Sequence, residues 1–435
     1  MTLRPLPRPR RFPRHKPLGF TLVELMVALT GGLIFSVAVF ALSRDTSRFY
    51  QREARVADAT LAGIVGFERL RADIARAGYM MSPNIARDPR YCGSNDDSLD
   101  SRVARPIISI ALLQEGSSTG TDLIEENLGR KPDALILAGN YTTVDDFDFL
   151  GVDPGAGGRG VIHLRPSSGG LQRAGYLALP PGDAGEAGAG ATEGRTQASV
   201  LASYFPAGRA IRIVNERGQH QYNIIESTSP GTDPTITLQH PVETSPVCGV
   251  SERTSGTVNT INFIEYSIRS LSGNSSFAAL FAPSGLNLPG ESTRTELVRQ
   301  ELLPDDATAA FEDTLELIAE YAVDLQFGGT VGLGAGGTIT SLDSHGPGSS
   351  EIGDVLAPDG TGSPQRARSI RARLSVRSRE ADRPSNASAD ERAALGLSRN
   401  GVYRFGVGAS GAAPFARVRT LQADIALDNQ LHATW

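Results

Sequence analysis

Glu24 is the only charged residue between Phe20 and Leu42, a run of 23 residues, and it follows closely on a Gly19-Phe20 junction that ends a basic leader. A carboxylate has little use in an ordinary apolar span, because an unpaired charge at that depth costs about 2.5–3.5 kcal/mol on insertion scales. The chemistry to expect is pairing, with a cation or a set of donors brought to Glu24. The Gly19-Phe20 junction itself reads as a cleavage point.

No other set of residues in the chain is spaced for catalysis. The six histidines, His15, His163, His220, His240, His345 and His432, show no HExxH or paired ligand spacing, and they read as structural or surface groups. The string Gly332-Leu333-Gly334-Ala335-Gly336-Gly337 satisfies GxGxxG without a strand-to-helix context, so it reads as loop. Asp145, Asp146 and Asp148 lack the glycine and distal glutamate of a calcium loop, and a solvated acidic turn is the expectation. The sequence therefore predicts no catalytic residue, no metal site and no cofactor, and a protein that is not an enzyme.

The elements that would position Glu24 follow from periodicity. An apolar stretch of 23 residues is long enough to cross a bilayer core of roughly 30 Å as a helix. Beyond it, Phe49, Val56, Ile64, Phe67, Leu70, Ile74 and Ala77 are separated by threes, fours and their sums, which is one stripe of an amphipathic helix. Gly78 is a reasonable cap, so one helix is expected from about Phe20 to Ala77, with residues 20–42 in the membrane and the later stripe on a sheet. Gly31, Gly32, Gly63 and Gly66 read as close-packing positions rather than a hinge.

After Gly78 the chain reads as β-rich. Candidate strands are 107–113, 134–138, 161–164, 210–214, 222–227, 235–238, 260–268, 278–281, 323–327, 369–376 and 418–425, each short, aliphatic or β-branched, and bounded by turn residues. A second helix is expected from Ala309 to Tyr321. Gly/Ala/Pro-rich stretches at 151–160, 180–194 and 328–364 read as surface loops. The fold class is α+β, with a leader at 1–19, a helix at 20–77 laid on an antiparallel sheet, and a head at 78–435 in one lobe or in two divided near 270.

Charge agrees with an outward-facing head. The leader carries Arg4, Arg8, Arg10, Arg11, Arg14 and Lys16 and no acidic residue, the positive flank that holds the N-terminal side of a span in the cytoplasm. Removing those six of the 42 basic residues leaves 36 against 48 acidic ones, a net of −12. Such a chain is a poor polyanion binder, and no nucleic-acid partner is predicted. Cys92 and Cys248 fall in the outward part, where an oxidising compartment permits a disulfide. Two unpaired thiols are the alternative, since spacing does not show that the two Cα atoms approach.

The pattern Gly19-Phe20-Thr21-Leu22-Val23-Glu24 before an apolar run resembles the class III signal of type IV pilins and type II secretion pseudopilins. The resemblance implies cleavage after Gly19 by a prepilin peptidase, methylation of Phe20, and an assembly role for Glu24 against the free amine of a neighbouring subunit. A narrower resemblance, to PilW-like minor pilins, rests on residues 70–79 (Leu70-Arg71-Ala72-Asp73-Ile74-Ala75-Arg76-Ala77-Gly78-Tyr79), on Leu317 to Gln326 and on Ile370 to Ser378. It is thin between 140 and 300, and the expected arginine-asparagine near the end appears only as Asp428-Asn429. It implies a pilin-like fold and a minor pilin that takes part in type IV pilus assembly or initiation, at the tip or along the shaft. Its partners would be other major and minor pilins, the peptidase, an inner-membrane assembly platform and membrane lipid. The subunit would begin as a single-pass inner-membrane protein with a periplasmic head and end on the cell surface. The alternatives are a type II secretion pseudopilin of a tip complex, and a membrane-anchored periplasmic enzyme or adhesin.

Overall fold

The predicted long helix is α1 (Leu22–Arg76), 55 residues. The computed structural model describes residues 21–93, 100, 102–114, 132–154, 158–182, 195–244, 249–250, 255–281, 294–333, 338–343, 352–379, 404–407, 415–431 and 433. The segment Leu22–Arg44 is long and apolar enough to cross a membrane, and none of it is buried. The chain divides into two compact units at Ala54 and Arg55. The second unit is α+β, built from the last turns of α1 and a large set of antiparallel strands.

The face that α1 buries is only partly the predicted stripe. Phe67, Leu70, Ile74 and Ala77 are buried, and the large side chains among them contribute about 1.5–3 kcal/mol each. Ile64, expected on the same stripe, is 43% exposed, and the side chains of Phe49 and Val56 lie outside the described residues. Backbone takes the place of Ile64: a Cβ on Gly66 would meet the Ile318 carbonyl oxygen at 2.7 Å, and one on Gly63 would meet Val376 Cγ2 at 2.9 Å. These two glycines let the helix touch the strands, as close packing requires. Nothing lies within 4 Å of a Cβ at Gly31 or Gly32.

Five strands, β1 (Ile110–Leu113), β2 (Ala134–Gly139), β8 (Gly256–Arg269), β9 (Glu296–Leu302) and β10 (Glu316–Ala319), pair antiparallel in the order β1-β2-β8-β9-β10. A second sheet has the order β12-β11-β13-β15-β14, from β11 (Ala322–Leu333), β12 (Thr338–Asp343), β13 (Ala367–Arg377), β14 (Arg404–Gly406) and β15 (Phe415–Ala426). Leu112, Leu135, Ile264 and Leu297 of the first sheet and Leu325, Ile370, Leu374 and Ile425 of the second share one apolar core with Phe67, Leu70 and Ile74 of α1. The boundary suggested near 270 falls in the connection between β8 and β9, which pair with each other over seven residues.

Residues between β2 and β8 form a separate part of the second unit. β3 (Phe147–Asp153), β4 (Val161–Leu164), β5 (Ala210–Asn215), β6 (His220–Ser229) and β7 (Thr235–Leu238) join the first half of β8 in a closed antiparallel ring, β8-β3-β4-β7-β6-β5-β8. Its interior holds Phe147, Phe149, Ile162, Leu164, Ile211, Ile213, Ile225, Ile236, Leu238 and Val258. Leu171 of α2 (Gly169–Arg173) and Val200 and Leu201 of α3 (Gln197–Tyr204) complete that core. Closure leaves no strand edge unpaired in the ring. Gly139 and Asn262 are Cα partners across β2 and β8, so the ring is an insertion between adjacent strands.

Three local expectations are corrected. The helix expected at Ala309–Tyr321 is a 3-10 turn, Glu312–Thr314, followed by β10, because Leu317 and Ala319 find ladder partners in Val298 and Leu297. The strand expected at 278–281 is the end of a 3-10 helix, Ser275–Leu280, opened by Asn274, whose side chain accepts from the Ser276 amide. The glycine-rich stretch 328–364 is not wholly loop, since residues 328–333 pair with residues 338–343 across β11 and β12. Gly332 and Leu333 of the GxGxxG string close β11, and residues 334–337 lie outside the described residues.

Candidate functional site

The first turn of α1 answers the question that Glu24 poses. Thr21 is the N-cap: its hydroxyl accepts from the Glu24 amide at 3.2 Å, while Glu24 Oε2 accepts from the Thr21 amide at 2.9 Å and the Thr21 hydroxyl at 3.0 Å. This is a reciprocal capping box, and the Thr-x-x-Glu spacing ahead of an apolar run is its sequence signature. Both hydrogen bonds to the carboxylate fall on Oε2. Among the described residues Oε1 accepts none, which leaves it available to a donor from outside the chain. Gly19 and Phe20 lie outside the described residues.

The other end of α1 is fixed by polar contacts that the apolar stripe conceals. Asp73 sits among buried positions at 5% exposure, and its Oδ2 accepts from Tyr266 Oη and from Arg299 Nε, each at 2.8 Å. Tyr141 Oη donates to the Asp73 carbonyl, also at 2.8 Å. Burial, and then the Asp73 charge, push the Tyr266 phenol far above its ordinary value, so it stays a donor. A charged residue in register with Leu70 and Ile74 was the signal in the sequence, because such a group is buried only when paired.

Gly78, in the left-handed region at φ 76°, turns the chain out of α1, and its amide donates to the Ala138 carbonyl of β2 at 2.8 Å. Asn429 Nδ2 then donates to the Ala75 and Ala77 carbonyls, each at 3.2 Å, closing orphan acceptors at the helix end. Asn429 of the Asp428-Asn429 pair thus has a definite structural task.

One group of head residues has the composition of a nucleophilic triad. Ser82, Asp88 and His220 are 1%, 6% and 1% exposed. Ser82 Oγ donates to Asp88 Oδ2 at 2.6 Å, and His220 Nε2 faces the same oxygen at 3.6 Å. The carboxylate therefore stands between serine and imidazole, the wrong order for a base to activate the hydroxyl.

Among the described residues no group of three or more His, Cys, Asp or Glu side chains could hold a metal ion. Asp145 pairs with Arg173, and burial raises the Asp146 carboxyl above its ordinary range. An open depression of ≈ 330 Å³ borders Gly151, Val152, Asp153 and His163, whose Nδ1 lies 3.0 Å from Asp233 Oδ2. Among the described residues the lining offers an imidazole and a carboxylate but no nucleophile.

Cys92 is disulfide-bonded, and Cys248, the only other cysteine in the sequence, lies outside the described residues. The arginines of β13 are drawn into structure rather than into a basic surface. Arg371 Nε reaches Asp424 at 2.9 Å, Arg373 faces Asp324 at 4.0 Å, and Arg377 lies over the rings of Tyr321 and Phe405. Comparison with protein-family models, with curated proteins and with solved structures finds no match to this chain.

Proposed function

We propose that the chain is a minor pilin subunit that takes part in type IV pilus assembly after its leader is removed at Gly19. The observation that carries this reading is the Gly19-Phe20-Thr21-x-x-Glu24 pattern immediately before an exposed apolar helix that continues to Arg76. The pilin-like description of the fold belongs to the same proposal, supported by one long N-terminal helix whose last turns lie in an antiparallel β core.

In this reading the Thr21 capping box holds Glu24 while the subunit stands in the bilayer with its head in the periplasm. A neighbouring subunit's N-terminal amine then supplies the cation that Thr21 cannot, where little water competes for the carboxylate. Extraction moves the apolar helix from lipid into a bundle of like helices, driven by a cytoplasmic motor through membrane partners, and the head presents surface to other pilins.

Intact-mass and N-terminal peptide analysis of the protein from membranes and sheared pili tests the proposal. A mature chain beginning at N-methylated Phe20 is expected, and an intact leader would overturn it. Glu24→Ala should leave cleavage intact and lower incorporation by about tenfold or more, the consequence of losing roughly 1.4 kcal/mol of pairing at a desolvated site. Pili in normal number that contain Glu24→Ala subunits would sink the assembly role.

A further inference from the structure

We propose that residues 79–93 are an acid-released strap over the outer face of β5 and β6, with His220 as its latch. The inference is independent of the pilus reading and concerns the ring and the segment laid over it.

The strap is held at both ends by the ring strands and at its middle by residues 107–109, where Asn84 bridges Ile108 and the Ile85 amide donates to the Ile107 carbonyl. Met80, a non-glycine residue at φ 56°, presents its carbonyl to Arg212 Nη1 at 3.1 Å and to Asn259 Nδ2 at 2.9 Å. The Ser82 amide donates to Tyr222 Oη at 2.9 Å. At the far end the His220 amide donates to the Arg90 carbonyl at 3.0 Å and the Cys92 amide to the His220 carbonyl at 2.8 Å. Between these points Met81, Ile85 and Tyr91 share an apolar core with Tyr222, Ile224 and Ile261.

Inside this seam the His220 ring is fixed in one protonation state. Its Nδ1 lies 3.3 Å from Arg212 Nη2, and a guanidinium has donors only, so Nδ1 must accept and the ring proton belongs on Nε2. A second proton would have to go on Nδ1. It would abolish that hydrogen bond and set two cations face to face in a site 1% exposed.

The charged and titratable groups around the ring do not offset this. Arg212 faces it from β5, Tyr222 from β6, and Asp88, Arg90 and Tyr91 from the strap. Asp88 is the one anion among them, and its carboxylate already accepts from Ser82 Oγ and the Arg90 amide. Burial first, and the Arg212 charge second, accordingly push the imidazole down to about 2. A folded-state value below the ordinary 6.5 means that His220 supports the closed strap above pH 6.5, and that this support is lost progressively as pH falls from 6.5 toward 2. Opening would bare Met81, Ile85, Tyr91, Tyr222 and Ile224, while the Cys92 disulfide keeps the excursion local.

Hydrogen exchange of the full chain in bilayer discs at pH 6.5 and pH 4.5, corrected for intrinsic rates, tests the latch. One linked proton allows the opening constant to rise by up to about tenfold per pH unit. Because the open-state ring is already half protonated at pH 6.5, peptides covering residues 79–93 should lose roughly 50-fold in protection, with α1 residues 67–76 and β13 unchanged. His220→Gln should abolish the pH dependence at the strap. Retention of that dependence in the variant, or equal loss of protection across the head, would overturn the proposal. Should the variant fail to fold, the ring resonance in contact with Tyr222 serves in the native chain. It should stay neutral to pH 4.5, and titration near 6.5 with the strap still protected would overturn the latch.

Discussion

Around α1, the strands β1 and β10 have a strand neighbour on one side only among the described residues, and the two sheets share one apolar core with the helix laid against them. In the inserted ring every strand has two neighbours, and the interior is filled mainly by side chains of the strands themselves. The first arrangement depends on contacts far apart in sequence, such as Asp73 with Arg299 and Ala75 with Asn429. The second is assembled from residues within 147–261. One body is thus built to hold a helix, while the other is a self-contained addition between two adjacent strands. Residues 70–79, 317–326 and 370–378 all lie in the first body, and the ring falls between the first two of these stretches.

Substitutions that strike one body and spare the other would break or sharpen this contrast. Phe149→Ala, inside the ring, should cost about 3–5 kcal/mol. If the ring is a separable body, hydrogen exchange will show the loss in β3 to β7 and leave α1 and β13 protected. Asp73→Ala should cost about 3 kcal/mol by taking the buried acceptor from Arg299 Nε and Tyr266 Oη, Arg299 keeping only Glu316, with the loss centred on α1, β9 and β10. Coincident denaturant transitions for the two variants, read by probes in both bodies, would show instead that the head unfolds as one.

Gly66→Ala should cost about 1–3 kcal/mol, because the Ile318 carbonyl stands where the new methyl would go, and thermal unfolding will measure it. The same change at Gly31, with open space around it, should leave the stability of the second unit unchanged. The smallest effect belongs to Asn429→Ala, about 1 kcal/mol for two hydrogen bonds at a half-exposed helix end, measurable by denaturant titration.

The helix, the cap at Gly78 and most strands of the first body were legible because their signals are local: an apolar run, a 3.6-residue stripe, and β-branched runs between turn residues. Four groups were not legible to the same degree. Ile64 matches the stripe in spacing but is displaced by the glycine contact beside it. The stretch 309–321 has helical composition, yet its hydrogen bonds are claimed by β9. Asp73 shows only as a charge in register with the buried stripe and His220 looks ordinary in the sequence, and their distant partners make both structural.

The sequence by itself determined the basic charge of residues 1–19, an apolar run long enough to cross a membrane, the extent of the long helix and the α+β class, since each depends on neighbours within a few turns. Closure of the ring, the joining of both sheets to one helix face, the burial of His220 and the capping of Ala75 and Ala77 by Asn429 were decided only by the tertiary structure. Those features are pairings between residues tens to hundreds of positions apart. Which partner each hydrogen-bonding group finds depends on how the whole chain covers its apolar surface, and no local pattern encodes that choice.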